Sequence, residues 1–261
     1  MNTHSKTLIA LFYFAAVAAL STTASAVAID DWTISTGSTA SDLSTDSPII
    51  GDGSSASALN TLIASPTASY KLTSVGDKID VTGSVNFSGL SGSSLAHSFR
   101  WSLMNTNGSS NVNGWLGYAG QNSSGTSPGD LFERDNPNTA SWWTTNQATK
   151  LGSAVDASSA LLTNGTYALA ISVELTDTNE VTIVWSLIGT GYSMTGTVVD
   201  ASPQTLTFNV VGVGSAGLSA NQISLSNMDI TYTPIPEASA LWYLVLASAV
   251  PLLWRRLRAR R

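Results

Sequence analysis

From Tyr167 to Leu187 the chain alternates apolar with small or polar side chains more regularly than anywhere else. Tyr167, Leu169, Ile171, Val173 and Leu175 form one apolar series, and Val181, Ile183, Trp185 and Leu187 form a second. A period of two gathers each series on one face of a strand, whereas a helix would scatter it around the axis. Asp177-Thr178-Asn179 separates the two runs, a turn-forming cluster that predicts a β-hairpin. The same period recurs at Ile79, Val81, Val85 and Phe87, and at Phe99, Trp101 and Leu103. Further strands are expected over Ser193–Val199, Thr205–Val213 and Ile223–Tyr232. No stretch between 70 and 233 combines helical spacing with caps. The predicted fold class is therefore all-β, an antiparallel two-sheet sandwich of jelly-roll type. Gly189-Thr190-Gly191, Gly51-Asp52-Gly53 and Gly212-Val213-Gly214 read as turns. Residues 29 to 66 are rich in Ser, Thr, Ala and Asp, and read as a first strand at Trp32-Thr33-Ile34 followed by long loops.

The two ends have a different character. Leu8 to Leu20 is an uncharged apolar run behind the short basic start Met1 to Lys6, too short to span a bilayer comfortably. Ala24-Ser25-Ala26 follows it as an A-x-A site, which predicts a signal peptide over 1–26 cut by signal peptidase after Ala26; Ala26-Val27-Ala28 is the alternative site. At the far end, residues 238–254 carry no charge and predict a single transmembrane helix edged by Trp242, Tyr243 and Trp254. Arg255, Arg256, Arg258, Arg260 and Arg261 follow as a cluster that favours the cytoplasmic side and so places the body outside.

Ile235-Pro236-Glu237, the short hydrophobic helix and the arginine-rich terminus together resemble the PEP-CTERM sorting signal of Gram-negative bacteria, with Ala238 where the second proline is usual. The resemblance implies that Pro236 and Glu237 form the sorting motif and that an exosortase-type enzyme is the processing partner. It also implies transient anchoring in the inner membrane before delivery to the cell surface or the extracellular space. The expected organisation is a signal peptide over 1–26, a Ser/Thr-rich first strand and loops over 27–69, a β-sandwich core over 70–234 and a sorting segment over 235–261.

The body itself carries a second resemblance. Gly76-Asp77 entering a long strand, Phe99-Arg100-Trp101-Ser102-Leu103, Gly114-Trp115-Leu116-Gly117-Tyr118 and the closing Asn227-Met228-Asp229-Ile230 are similar to concanavalin A-like jelly rolls. That fold hosts lectins, glucanases, lyases and structural modules, so the resemblance implies an architecture and leaves the activity open.

Charge and composition exclude several functions. Residues 27 to 234 hold five basic residues (Lys71, Lys78, Arg100, Arg134, Lys150) against sixteen acidic ones, a net of −11 that repels nucleic-acid phosphates. With no cysteine, disulfides, zinc–thiolate sites and thiol nucleophiles are absent. His97 is the only histidine beyond the signal peptide, which argues against a transition-metal site or a Ser-His-Asp triad. No cofactor is expected; calcium is the one ion left open, through oxygens around Asp77 or Asp229.

Two segments resemble catalytic chemistry in composition. Glu174-Leu175-Thr176-Asp177-Thr178-Asn179-Glu180 lacks the Glu-x-Asp-x-x-Glu spacing of jelly-roll glucanases and reads as solvated acids bracketing a turn. Glu133 and Arg134 lie in a polar segment ahead of Trp142-Trp143, either a sugar-facing loop or an edge strand with solvated charges. With Trp115 and Tyr118 these four residues make the candidate carbohydrate-binding set, since aromatic faces stack on pyranose rings. Trp101 alternates in phase with Phe99 and Leu103 and is assigned to the core. The resulting expectation is a noncatalytic surface or matrix protein associated with extracellular polysaccharide. The alternative is a polysaccharide-active enzyme, or a carbohydrate-binding module, on the same fold.

Overall fold

The computed structural model of the protein describes residues 24–37, 39–54, 57–91, 98–123, 128–135, 148–154, 161–189 and 191–235. The predicted membrane helix, the arginine tail, Pro236, Glu237 and most of the signal peptide lie outside these, as do His97, Trp142 and Trp143. Among the described residues no helix is long and apolar enough to cross a membrane. Ser25–Tyr232 forms one compact unit, and Met1–Ala24 with Thr233–Arg261 is grouped as a second. Only the first is described below.

The chain runs through β1 (Ser25–Ala28), β2 (Thr33–Thr36), β3 (Ala40–Ser41), β4 (Ile49–Ile50), β5 (Ser57–Leu59) and β6 (Leu62–Lys71). There follow β7 (Lys78–Ser88), β8 (Phe99–Asn105), β9 (Leu116–Gln121), β10 (Asp130–Arg134), β11 (Thr149–Ser153) and β12 (Gly165–Asp177). The last five are β13 (Glu180–Gly189), β14 (Tyr192–Asp200), β15 (Thr207–Ser215), β16 (Leu218–Ala220) and β17 (Gln222–Thr233). A single 3₁₀ turn at Val112–Gly114 is the only helical element among the described residues. One sheet has the order β14-β13-β12-β7-β17-β4-β3, with β1 also on β17; a seven-stranded sheet has the order β11-β10-β9-β8-β15-β6-β2; β16 and β5 form a small third pair. The fold is thus all-β, a jelly-roll-like sandwich of two antiparallel sheets.

The β12–β13 hairpin is built as its alternation requires. Ile171 faces Trp185 and Val173 faces Ile183 across the ladder, all four side chains are buried, and Asp177 and Glu180 close the turn at the exposed end. β17 keeps Ile223 and Leu225 inward, then changes phase so that Met228 and Ile230 are buried. Asn227, with φ of 51°, makes this change by taking the left-handed conformation that Asn tolerates better than most residues. The sheets are joined by more than apolar burial. Trp101 of β8 sends its indole N–H 2.9 Å to the carbonyl of Ala170 in β12, and Phe87 and Phe99 meet edge to face at 5.0 Å. Trp185 is fully buried, and a Cβ at Gly196 would lie 2.2 Å from its ring, so the register pair Trp185–Gly196 requires the glycine.

Three expectations are corrected. The region read as mostly loop contains β2 to β5 and half of β6, which runs for ten residues from Leu62 and pairs on both sides. Its first four residues are buried on both faces, so no alternation marks it. Gly212-Val213-Gly214 is not a turn but the middle of β15, where the Ser102 hydroxyl donates to the Gly212 carbonyl at 3.2 Å. The segment holding Glu133 and Arg134 is a strand, β10, but it lies between β9 and β11 and both of these residues are buried. β1 precedes the strand expected at Trp32-Thr33-Ile34 and spans the predicted signal-peptide junction, with Ala26 opposite Thr231 and Val27 opposite Ile230.

Candidate functional site: a groove on the seven-stranded sheet

The outward face of the seven-stranded sheet carries its own small apolar cluster: Leu62, Ala64, Met104, Ala119 and Val210, covered by Val112 and Trp115. The covering segment is the β8–β9 connection, which turns back over the sheet at Asn107 and Gly108, both with positive φ. Asn111 caps the 3₁₀ turn by accepting from the Asn113 N–H at 3.0 Å. Ser109 accepts from the Asn111 N–H at 3.1 Å, and its own carbonyl receives the Trp115 indole N–H at 3.2 Å. Local side-chain bonds therefore replace a ladder in fixing this segment.

Between that segment and β2 lies a groove with a cavity volume of about 590 Å³. Ala64, Val210, Val112 and Trp115 contribute apolar surface, while Thr33, Ser35, Thr106, Ser109, Ser110 and Asn111 supply hydroxyl and amide groups. Among the described residues, no ionisable side chain lines it. Uncharged donors and acceptors beside apolar patches suit a neutral polyhydroxyl ligand, whose hydroxyls need hydrogen bonds and whose C–H faces need apolar contact.

The inner face of the same sheet holds a buried acid pair. Glu133 of β10 and Asp200 at the end of β14 are both buried, and the charge of Asp200 acts on Glu133. Glu133 also accepts the Gln204 N–H at 2.7 Å; Asp200 accepts the Tyr118 hydroxyl at 2.7 Å and the Ser202 N–H at 2.9 Å. Burial, and then repulsion from Asp200 and Asp135, push the Glu133 carboxyl up from 4.5 to about 7 despite the Gln204 hydrogen bond. Burial, the hydrogen bond to Asp200 and the charges of Asp200 and Glu133 raise Tyr118 above its ordinary value. Between its ordinary value and neutrality Glu133 therefore keeps a proton that an exposed glutamate would have released.

The expected carbohydrate-binding residues fall in different places. Trp115 lines the groove, but it is buried except for 6% of its surface, so it forms part of a wall and is no free stacking platform. Tyr118 faces the sandwich interior against Phe208 and has no exposed ring face, which removes it as a sugar contact. Glu133 faces the interior beside it. Arg134, its neighbour in sequence, points to the opposite face, where it donates to the Asn113 carbonyl at 2.8 Å. There it shares a small recess with Arg100 and Gln121. With the Gln121 amide turned to present its oxygen, that oxygen accepts from Arg100 Nε and Nη2 at 3.0 and 3.2 Å. Burial lowers Arg100 to about 10. Trp142 and Trp143 lie outside the described residues.

Asp77, one of the two positions considered for calcium, is fully buried and caps a turn. Its Oδ2 accepts from the Thr73 N–H, the Ser74 N–H and the Thr73 hydroxyl at 2.7, 2.9 and 3.1 Å. Among the described residues, no three His, Asp or Glu side chains come together in an arrangement that could hold a metal ion. Sequence reasoning missed Asp200, which had no signal linking it to Glu133, and the groove hydroxyls, which are ordinary Ser and Thr of a Ser/Thr-rich chain.

No protein-family model matches the chain, and no curated protein matches its sequence. Solved structures of similar arrangement include peanut lectin (10% identity, covering 82% of this chain and 99% of that one, TM-score 0.44). The exoplasmic/lumenal domain of VIP36 is 12% identical over 79% of this chain and 84% of that one, with a TM-score of 0.46. An endo-1,3-beta-glucanase from Streptomyces sioyaensis is 13% identical over 81% and 96%, with a TM-score of 0.44. The likeness is one of strand arrangement alone and assigns no role to any residue of this chain.

Proposed function

We propose that this is an exported, noncatalytic surface or matrix protein that associates with extracellular polysaccharide through the groove on its seven-stranded sheet. In this reading the N-terminal segment exports the chain. The C-terminal segment holds it at the inner membrane until an exosortase-type enzyme sorts it to the surface. The observation that carries the reading is the groove itself: about 590 Å³, with hydroxyl, amide and apolar groups and, among the described residues, no ionisable side chain in its lining. Such a surface matches a neutral sugar chain better than an acidic one, which would seek cations.

The test is binding and turnover by the mature protein on a panel of neutral polysaccharides. Binding without turnover is expected, with Asn111→Ala and Thr106→Val each weakening it by about tenfold, the loss of one or two hydrogen bonds. Binding that ignores both substitutions would move the site elsewhere. The enzymatic alternative has one observation in its favour: Glu133 keeps a proton near neutrality beside a second carboxylate, the state a general acid needs. Both acids are buried, however, and neither lines the groove. Turnover abolished by Glu133→Gln would establish that alternative. Sorting is tested separately, by deleting residues 255–261; unchanged membrane retention and processing would refute the assigned role of the arginines.

A further inference from the structure

We infer that Asn107, at the tip of the groove wall, is a site of spontaneous deamidation, and that its conversion loosens the wall and lowers ligand affinity as the protein ages. The effect on affinity rests on the reading of the groove as the ligand site; the modification itself does not. An asparagine followed by glycine is the step most open to this reaction, because no side chain shields the nitrogen that attacks. Three such steps lie among the described residues: Asn107-Gly108, Asn113-Gly114 and Asn164-Gly165. Their surroundings separate them. At Asn164 the side-chain carbonyl accepts the Leu90 N–H at 2.8 Å, which holds the group that must be attacked. At Asn113 the attacking nitrogen is occupied, since the Gly114 N–H donates to the Asn111 carbonyl at 2.8 Å, and a Cβ at Gly114 would lie 2.4 Å from the Ser109 side chain. Asn107 and Gly108 are both exposed, and among the described residues no hydrogen bond engages the Asn107 side chain or the Gly108 N–H. Nothing lies within 4 Å of where a Gly108 Cβ would be.

The reaction needs only water. As the Gly108 N–H proton leaves to hydroxide, its nitrogen bonds to Asn107 Cγ, and the side-chain nitrogen departs as ammonia with a proton taken from water. Water then opens the resulting succinimide ring. Opening at the side-chain carbonyl gives aspartate; opening at the backbone carbonyl gives isoaspartate, whose main chain runs through Cβ and Cγ and is one carbon longer. The net change is the gain of a water and the loss of an ammonia, and either product ionises to a carboxylate. Both products alter a turn on which the wall depends. Asn107 and Gly108 have φ of 49° and 73°, the left-handed pair that such a tight turn requires, and the Ser109 N–H closes it on the Thr106 carbonyl at 2.8 Å. That bond and one from the Asn107 N–H to Asn105 Oδ1 at 2.9 Å hold an exposed tip, whose opening gives the Gly108 nitrogen its approach. Isoaspartate cannot restore the turn, because its extra main-chain carbon changes the spacing between Thr106 and Ser109. Those two residues line the groove on either side of the tip, and the Ser109 carbonyl holds the Trp115 indole. Aspartate keeps the backbone but sets a carboxylate beside a lining whose described residues carry no ionisable group.

The experiment incubates the full-length protein in mild alkali, where the attacking nitrogen loses its proton faster, and compares aged with fresh samples. Peptide mapping by mass spectrometry should show Asn107 converting about tenfold faster than Asn164, the factor that one hydrogen bond supplies. Amide hydrogen exchange at Ser109 should show about tenfold lower protection in the aged protein, and affinity for the neutral probes laminarihexaose and cellohexaose should fall by a similar factor. Asn107→Gly keeps the left-handed turn and cannot deamidate there, so it should hold both protection and affinity through the incubation. Asn107→Asp, measured fresh, should bind more weakly while keeping Ser109 protected, which separates the added charge from the longer backbone. Conversion that is equal at the three steps, or faster at Asn113 or Asn164, overturns the site. Conversion at Asn107 with unchanged Ser109 protection overturns the loosening. Affinity that is lost equally in Asn107→Gly assigns the ageing to another residue and overturns the inference. Conversion and loosening in a protein that binds neither probe when fresh leave the deamidation standing and remove support from the polysaccharide reading.

Discussion

Replacing Glu133 by glutamine should make the protein more stable in mild alkali while leaving it unchanged in acid. The carboxyl titrates at 4.5 when unperturbed and at about 7 in the fold, so the folded state binds the proton more tightly than the unfolded state. Its contribution is fully present below pH 4.5 and declines as pH rises toward 7. Above that it is gone, because the folded state then holds an ionised, buried acid beside Asp200. At about 1.4 kcal/mol per pH unit, the interval corresponds to about 3 kcal/mol. Glutamine carries no charge at any pH. Its carbonyl can accept the Gln204 N–H and its amide can donate to Asp200, so the variant keeps the low-pH arrangement throughout.

For a body of this size, 1 kcal/mol moves the melting temperature by about 2–4 °C. The variant should therefore match the natural protein at pH 4.5 and melt about 6–12 °C higher at pH 8.5. Thermal unfolding followed by tryptophan fluorescence across that range measures both. The comparison between the two proteins cancels the titrating groups remote from Glu133. Parallel curves, with a constant offset from pH 4.5 to 8.5, would show that Glu133 ionises without cost and that the pair is not buried as described. A variant less stable at every pH would show that the natural glutamate makes a bond the amide cannot copy.

Other consequences concern the packing around this site. Gly196→Ala puts a methyl group 2.2 Å from the Trp185 ring and should cost about 3 kcal/mol. Adding Trp185→Leu, which clears the ring atoms, should make the second cost smaller than the sum in a double-mutant cycle read by denaturant unfolding. Asp77→Ala strips the acceptor from Thr73 and Ser74 and should cost about 2 kcal/mol or more, with new proteolytic cleavage between Leu72 and Gly76 as a direct readout. Trp101→Phe removes the indole bond to the Ala170 carbonyl that joins the two sheets, and should cost about 1–3 kcal/mol in the same unfolding assay.

What could be read from the residues divides along the two sheets for a physical reason. β7, β12 and β13 are buried on one face only, so alternation shows both the strand and its register, and the hairpin at Asp177–Glu180 follows from it. β8 is buried on both faces for six of its seven residues, and its outward positions hold Arg100 and Ser102. A polar residue there indicates which face it occupies but not that the face is covered. Glu133 and Arg134 occupy opposite sides of β10, and their polar character, which suggested a sugar-facing loop or a solvated edge strand, does not tell that both sides are covered. The acid pair was harder still. Glu133 and Asp200 lie 67 positions apart on strands of different sheets, and no local pattern links positions that meet only when layers stack. Buried carboxylates in a sandwich core are costly unless paired and hydrogen-bonded. Glu133 and Asp200 are accommodated by the Gln204 and Ser202 N–H groups and the Tyr118 hydroxyl, partners supplied by a turn and by a different strand, which is why no run of residues announces them.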